Sequence, residues 1–294
     1  MKTNKPKYWI WAYAFIAPSL ILICVLNLWP IAQTVWYSLN KVKGFMDPEW
    51  VGLANYIKAF HNKEVLMALK NTVIYTIVTV PVGVFLSLGA AVLLNTSIRC
   101  KGFFRVCYFL PVISAPAAVA MVWRWLYNSE FGIINYLLSK IGITGPNWLG
   151  SVQWVLISVI IVGIWAMVGY NMVILLAGLQ NIPRSYYEAA EIDGANGWSK
   201  FRYITVPLVS PTLFFVTLTT MISSLQVFDH IYMMFSSNNP AIKSVQSIVY
   251  LFYKYTFDQG NKGYGSTIAT ILLGIILVLT CIQMYVQKKW VVYQ

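Results

Sequence analysis

Residues Ile141–Pro183 read IGITGPNWLGSVQWVLISVIIVGIWAMVGYNMVILLAGLQNIP, without a single Asp, Glu, Lys or Arg. A coiled block of about 20 apolar residues matches the hydrocarbon thickness of a bilayer, and this stretch holds one with room to spare. Comparable charge-free blocks lie outward from it at Tyr8–Asn40, Asn71–Ile98, Val106–Trp123, Tyr203–Phe228 and Gly263–Gln287. Over all 294 residues the chain is 59% hydrophobic and 10% charged, whereas a soluble domain runs at about 25% charged. The expectation is an all-α integral membrane protein, one transmembrane domain over residues 1–294. Six transmembrane helices are placed near residues 10–36, 70–94, 104–126, 154–178, 205–229 and 266–286.

Lys2, Lys5 and Lys7 precede the first block as in a secretory leader, but the block outruns the 7–15 residue core of such a leader and reads as a retained anchor. Six spans put both termini on one side. The short polar segments on that side would carry Lys2, Lys5, Lys7, Arg99, Lys101, Arg105, Arg184, Lys200, Arg202, Lys288 and Lys289, which makes it cytoplasmic by the positive-inside rule. Tyr8, Trp9, Trp11, Trp29, Trp36, Trp123, Trp125, Trp148, Trp154, Tyr285 and Trp290 fall at block edges, where an interfacial belt belongs. Pro30, Pro81, Pro111, Pro116 and Pro211 sit in or near the spans and predict kinks.

The net charge of +12 is spread over helix ends, not gathered beside exposed aromatics, so a nucleic-acid partner is not expected. Cys24, Cys100, Cys107 and Cys281 are scattered without C-x-x-C spacing, and no metal site is expected. His61 and His230 lie far apart and read as loop or helix-end residues. The spans lack interior acidic residues, whereas a proton- or sodium-coupled carrier usually places ionisable side chains there; only Arg124 and Asp229 come close, at predicted helix ends. No G-x-x-x-x-G-K-[S/T] occurs, so the chain has no phosphate loop with which to hydrolyse ATP. Paired carboxylates, a His/Cys cluster and a serine elbow are also missing, which disfavours a membrane-embedded enzyme.

Residues 180–207, QNIPRSYYEAAEIDGANGWSKFRYITVP, depart from the apolar pattern. Tyr187–Ile192 is good helix sequence, residues 193–197 (DGANG) tolerate a left-handed turn, and residues 198–203 can resume a helix. Glu188, Glu191 and Asp193 are three of only nine acidic residues in the chain, which makes this a compact polar knob between two spans.

Glu188-Ala189-Ala190, then Gly194, then Ile204-Thr205-Val206-Pro207 resemble the EAA loop of permease subunits of binding-protein-dependent ABC importers, with Val206 where the family has Leu. Residues 17–20 (APSL), 52–56 (GLANY), 71–72 (NT), 109–111 (FLP), 178–180 (GLQ), 226–229 (QVFD) and 263–266 (GYGS) are similar to the carbohydrate-uptake branch, the maltose and glycerol-phosphate type permeases. The ending at residues 288–291 (KKWV) is similar to the first of the two paired permeases in such systems.

The resemblance implies a translocation subunit for sugars or related polar solutes in a bacterial or archaeal cell (inner) membrane. It implies a second homologous permease, two cytoplasmic ATPase subunits and an extracellular solute-binding protein. It implies no cofactor in this chain, with ATP and Mg on the partner ATPase. The loop would be a cytoplasmic coupling helix between the fourth and fifth spans. Glu188 would contact the ATPase, Ala189 and Ala190 would pack closely, Asp193 and Gly194 would form the turn, and Pro207 would close the motif.

A polar solute crossing a bundle needs hydrogen-bonding groups and apolar surface for sugar rings. The fourth span offers Trp165, Tyr170 and Asn171, and the fifth offers Thr220, Ser223, Ser224 and Gln226 as a substrate pathway. The same Ser, Thr and Asn residues also suit helix-to-helix bonding in a bilayer. A stand-alone carrier or channel is the alternative, and it would need coupling groups of its own and no docking helix.

Overall fold

The computed structural model describes residues 5–44, 46–96, 99–236 and 238–292, with side chains from Trp9 onward. The basic residue Lys2 and the side chains of Lys5, Lys7 and Tyr8, assigned above to an anchor and its interface, lie outside the described residues. In chain order the helices are α1 (Lys5–Ile23), α2 (Trp29–Ser38), α3 (Ala54–His61), α4 (Lys63–Asn95), α5 (Lys101–Ile113), α6 (Pro116–Leu126), α7 (Ile133–Lys140), α8 (Val155–Gln180), α9 (Arg184–Ile192), α10 (Gly197–Lys200), α11 (Val206–Leu225), α12 (Asp229–Met234), α13 (Ile248–Tyr253) and α14 (Lys262–Trp290). Among the described residues five stretches are long and apolar enough to cross a membrane: Trp9–Ser38, Lys63–Asn95, Val155–Gln180, Gly197–Leu225 and Lys262–Trp290. The pair α5 and α6 makes a sixth if counted as one span, bent by 104°.

That bend replaces the straight helix expected over 104–126, and proline is its cause. Pro116 crowds the residue before it out of the helical region, and Ala115 accordingly has φ −60° and ψ 133°, with Ser114 extended as well. Proline also explains two of the π turns. Cys24–Leu28 joins α1 to α2 and ends two residues before Pro30, and Phe201–Thr205 joins α10 to α11 and ends two residues before Pro207. A proline ring clashes with the carbonyl four residues back, and one extra residue in the preceding turn moves that carbonyl aside.

The chain forms two compact units, one of residues up to Asn62 with Phe252–Ile271, the other Lys63–Leu251 with the remainder from Leu272. In the first unit, strands β1 (Asn40–Lys41) and β2 (Glu49–Trp50) pair antiparallel with Asn40 opposite Trp50. Polar bonds close it: Thr267 Oγ1 donates to the Ser38 carbonyl at 3.1 Å in a buried position, and Asn62 Nδ2 to Tyr264 Oη at 3.1 Å in a part-buried one. The most apolar stretch of Trp9–Ser38 has no buried residue at all.

The second unit is built around α8, whose glycines admit its neighbours. A Cβ at Gly163 would strike Tyr75 Oη of α4, one at Gly169 the Tyr108 carbonyl of α5, and one at Gly178 the Thr212 side chain of α11. Lipid gives helices no hydrophobic drive to associate, so close approach at small residues supplies the dispersion energy instead. Buried polar groups add specific ties, with Asn71 Nδ2 donating to the Gln246 carbonyl and the Ile248 N–H to Thr72 Oγ1. Beyond α6 a ladder of rings runs Trp165, Trp123, Tyr127, Trp148, Trp154 at centroid spacings of 5.2–5.5 Å. Trp148 therefore packs inward at 8% exposure where an interfacial position was expected, because Asn135 takes its Nε1–H and neighbouring rings cover its edges.

Candidate functional site

The knob between α8 and α11 has the helix, turn and helix predicted for residues 180–207. Pro183 precedes α9 in an extended conformation, and α9 has no buried residue. The helix stops because Gly194 takes φ +78°, its N–H bonding back to Glu191 and that of Ala195 to the Ala190 carbonyl at 2.8 Å. This is the two-bond Schellman closure, in which the left-handed residue must be free of Cβ strain. Asn196 then caps α10 by accepting from the Ser199 N–H at 2.8 Å. Lys200 Nζ reaches Glu191 Oε1 at 2.7 Å, and Tyr187 Oη lies 3.0 Å from Thr205 Oγ1, so α9 is tied to the return helix at two levels.

Glu188, Ala189 and Asp193 are exposed, while Ala190 and Pro207 are half-buried. Beside them Ile192 is 87% exposed, Trp198 71% and Tyr203 77%. Large apolar side chains interleaved with Arg184, Glu188, Glu191 and Asp193 suit a protein partner's surface better than the charge-free interior of a bilayer. Ile192 and Trp198 are contributors that the motif alone did not single out; their signal in the sequence was an apolar residue on each flank of a glycine turn.

The second site is a cavity of about 260 Å3 walled by Tyr75 of α4, Gly163 and Met167 of α8, Ser223 and Ser224 of α11, and the Gln226–His230 segment. The helix expected to continue to residue 229 ends at Leu225, and Ser247 Oγ takes the Val227 carbonyl at 2.6 Å, which holds the chain out of helix and turns α12 toward the cavity. Ser224 Oγ and His230 Nδ1 are buried there with no hydrogen-bond partner. Burial holds the His230 imidazole below its ordinary pKa, against the upward pull of the Asp229 carboxylate.

Of the pathway residues read from the sequence, the cavity brings together Ser223, Ser224 and Gln226. Asn171 and Thr220 instead bond each other at 2.9 Å between α8 and α11, both buried. Trp165 stacks edge-on against Trp123 along a separate apolar cleft, and Tyr170 is half exposed outside the cavity lining. Tyr75 and Met167 join the cavity from other helices without a local signal, while Asp229 and His230 follow Gln226 along the chain.

Residues 51–292 match the family described as "Binding-protein-dependent transport system inner membrane component". The chain is 33% identical to the lactose transport system permease protein LacF of Rhizobium radiobacter, over 97% of this chain and 96% of that protein. It is 33% identical to the sn-glycerol-3-phosphate transport system permease protein UgpA of Agrobacterium fabrum, over 94% of each. It is 32% identical to the trehalose/maltose transport system permease protein MalF of Thermococcus litoralis, over 94% of this chain and 93% of that protein. The fold is that of a chain in the crystal structure of a bacterial alginate ABC transporter in complex with alginate pentasaccharide-bound periplasmic protein, with a TM-score of 0.84 at 20% identity over 97% of this chain and 96% of that one. With the glycine-turned knob, the apolar spans and a match over most of its length all agreeing, the chain belongs to the inner-membrane permease family of binding-protein-dependent ABC transport systems.

Proposed function

We propose that this permease carries sugars or related polar solutes inward, driven by two cytoplasmic ATPase subunits that bind ATP and Mg and docked to them through the 180–207 knob. A second homologous permease completes the bundle, and an extracellular solute-binding protein delivers the cargo. Both termini then face the cytoplasm. The observation that carries this reading is the exposed α9, Gly194 turn and α10, which presents Glu188, Ile192 and Trp198 on a hydrogen-bonded support. Closure of the ATPase pair would push this rigid knob, and α8 and α11 on either side of it would pass the movement to the cavity. The names of relatives that carry lactose and trehalose or maltose support a sugar cargo, and the cavity beside residues 223–230, lined by both polar and apolar side chains, is the place for it.

The test is ATP-driven uptake in proteoliposomes by the assembled transporter. Replacing Glu188 by Ala together with Gly194 by Val is expected to leave the chain in the membrane and reduce uptake per ATP hydrolysed at least tenfold. Wild-type uptake in that double variant sinks the docking assignment. A single cysteine at Ala195, in a chain freed of its four native cysteines, is expected to react with an impermeant thiol reagent only from the cytoplasmic side.

A further inference from the structure

We propose that α3 is an interfacial anchor, lying in the headgroup layer of the bilayer at the far end of the first span with Trp50, Leu53, Ile57 and Phe60 set into the acyl chains. Leu53, which caps the helix, is 65% exposed, Ile57 62% and Phe60 54%, and Trp50 just before them is 59% exposed. At 3.6 residues per turn Leu53, Ile57 and Phe60 fall within about 60° of one another, so they form one apolar stripe. The other side of α3 is the one the protein holds. Asn55 Nδ2 donates to the Ser38 and Asn40 carbonyls at 3.1 and 3.0 Å, Tyr56 Oη lies 2.6 Å from Ser38 Oγ, and Ala59 is fully buried. A helix on a water-facing surface shows the reverse, with its apolar side in and its polar side out. α3 is therefore turned for an apolar solvent.

The neighbour of the stripe indicates what covers it. The Trp50 ring lies 5.4 Å from that of Trp36, which stands near the end of the first span and is itself 55% exposed. The most apolar stretch of that span buries no residue. The stripe thus continues the span's outward-facing apolar surface, at the level where tryptophan rings meet the headgroups. Amphipathic helices at this boundary set their apolar face about 5–10 Å into it. Lys58 lies off the stripe, its Nζ 5.1 Å over the Tyr264 ring, so the stripe itself carries no charge. The consequence falls on the first span. Its apolar stretch has no packing to fix how deep it sits, and the two Asn55 bonds tie its end to a helix that the interface keeps at one depth. The proposal needs only the membrane spans and is independent of the solute and of the docking knob.

The experiment is nitroxide accessibility in the assembled transporter, reconstituted in nanodiscs of phosphatidylethanolamine and phosphatidylglycerol with and without its binding protein. In a chain freed of its native cysteines, Leu53→Cys, Ile57→Cys, Phe60→Cys and Lys58→Cys each carry one label. Oxygen, which partitions into lipid, and a neutral nickel chelate, which stays in water, are the two relaxants. At the three stripe positions the oxygen-to-nickel collision ratio is expected to exceed that at Lys58→Cys at least fivefold, with the binding protein or without it. A ratio at the stripe no higher than at Lys58→Cys puts α3 in water and overturns the anchor. Exclusion of both relaxants from the stripe means that the second permease or another protein covers it, which overturns it equally. Loss of oxygen access on adding the binding protein does so too, because the face is then a docking surface for that protein. With the label at Leu53→Cys, the pair Ile57→Asp and Phe60→Asp should lower the ratio at least fivefold, whereas Ile57→Trp and Phe60→Trp should keep it within twofold of the parent. A ratio unmoved by the aspartate pair also sinks the proposal, since those side chains then hold nothing in the bilayer.

Discussion

Gly169 and Gly89 lie on neighbouring helices and have opposite tolerances. A Cβ on Gly169 would overlap the Tyr108 carbonyl, a backbone atom that cannot swing aside, whereas one on Gly89 meets nothing within 4 Å. Gly169→Ala is therefore expected to cost about 1–3 kcal/mol through overpacking, and Gly89→Ala close to nothing, read as thermal stability in detergent. Asn171 makes a different kind of tie. Its amide donates to Thr220 Oγ1 inside the bundle, and such bonds average about 0.6 kcal/mol in membranes because the separated helices find other partners. Asn171→Ala should lower stability by about that amount and leave solute preference unchanged; a shift in preference would return this residue to the pathway.

The knob at residues 184–205 is a small element held by local bonds rather than by a core, since α9 and α10 bury nothing. Two of those bonds can be ranked. The Glu191 to Lys200 pair has a carboxylate side chain 64% exposed, so solvent screening limits it to a fraction of a kcal/mol. The Asn196 cap satisfies a helix N-terminal N–H and is worth about 1 kcal/mol. Asn196→Ala should thus speed amide hydrogen exchange across residues 184–205 more than Lys200→Ala does, with the melting temperature of the whole protein unmoved. The bent α5 and α6 pair is an element of the opposite kind, fixed by covalent restriction at Pro116 and by the ring ladder packed beyond it.

For the whole molecule, the uncovered first helix is the informative feature. Trp9–Ser38 exposes Trp11, Phe15, Leu22 and Leu26 along its length, and its most apolar stretch buries nothing. A span that buries so little within its own unit leaves its apolar surface to lipid and, under the proposed function, to the second permease. Removing residues 1–28 is expected to leave the remainder in the membrane while the second permease no longer co-purifies with it. Co-purification at the full-length level would mean that the pair is held elsewhere.

The apolar spans were legible in the sequence, because the bilayer excludes charge and requires a backbone bonded within itself, and both demands act on consecutive residues. The glycine-turned knob was legible for a similar reason: Gly194 and Asn196 do their work through bonds to residues within five positions. The cavity was only half legible. Ser223, Ser224 and Gln226 share one stretch of polar sequence, but Tyr75 and Met167 reach them through the packing of α4 and α8, and His230 through the break after Leu225. No local spacing encodes those meetings. They are decided by which glycines admit which neighbours and by the Ser247 hydroxyl that claims the Val227 carbonyl, and both are properties of the assembled bundle.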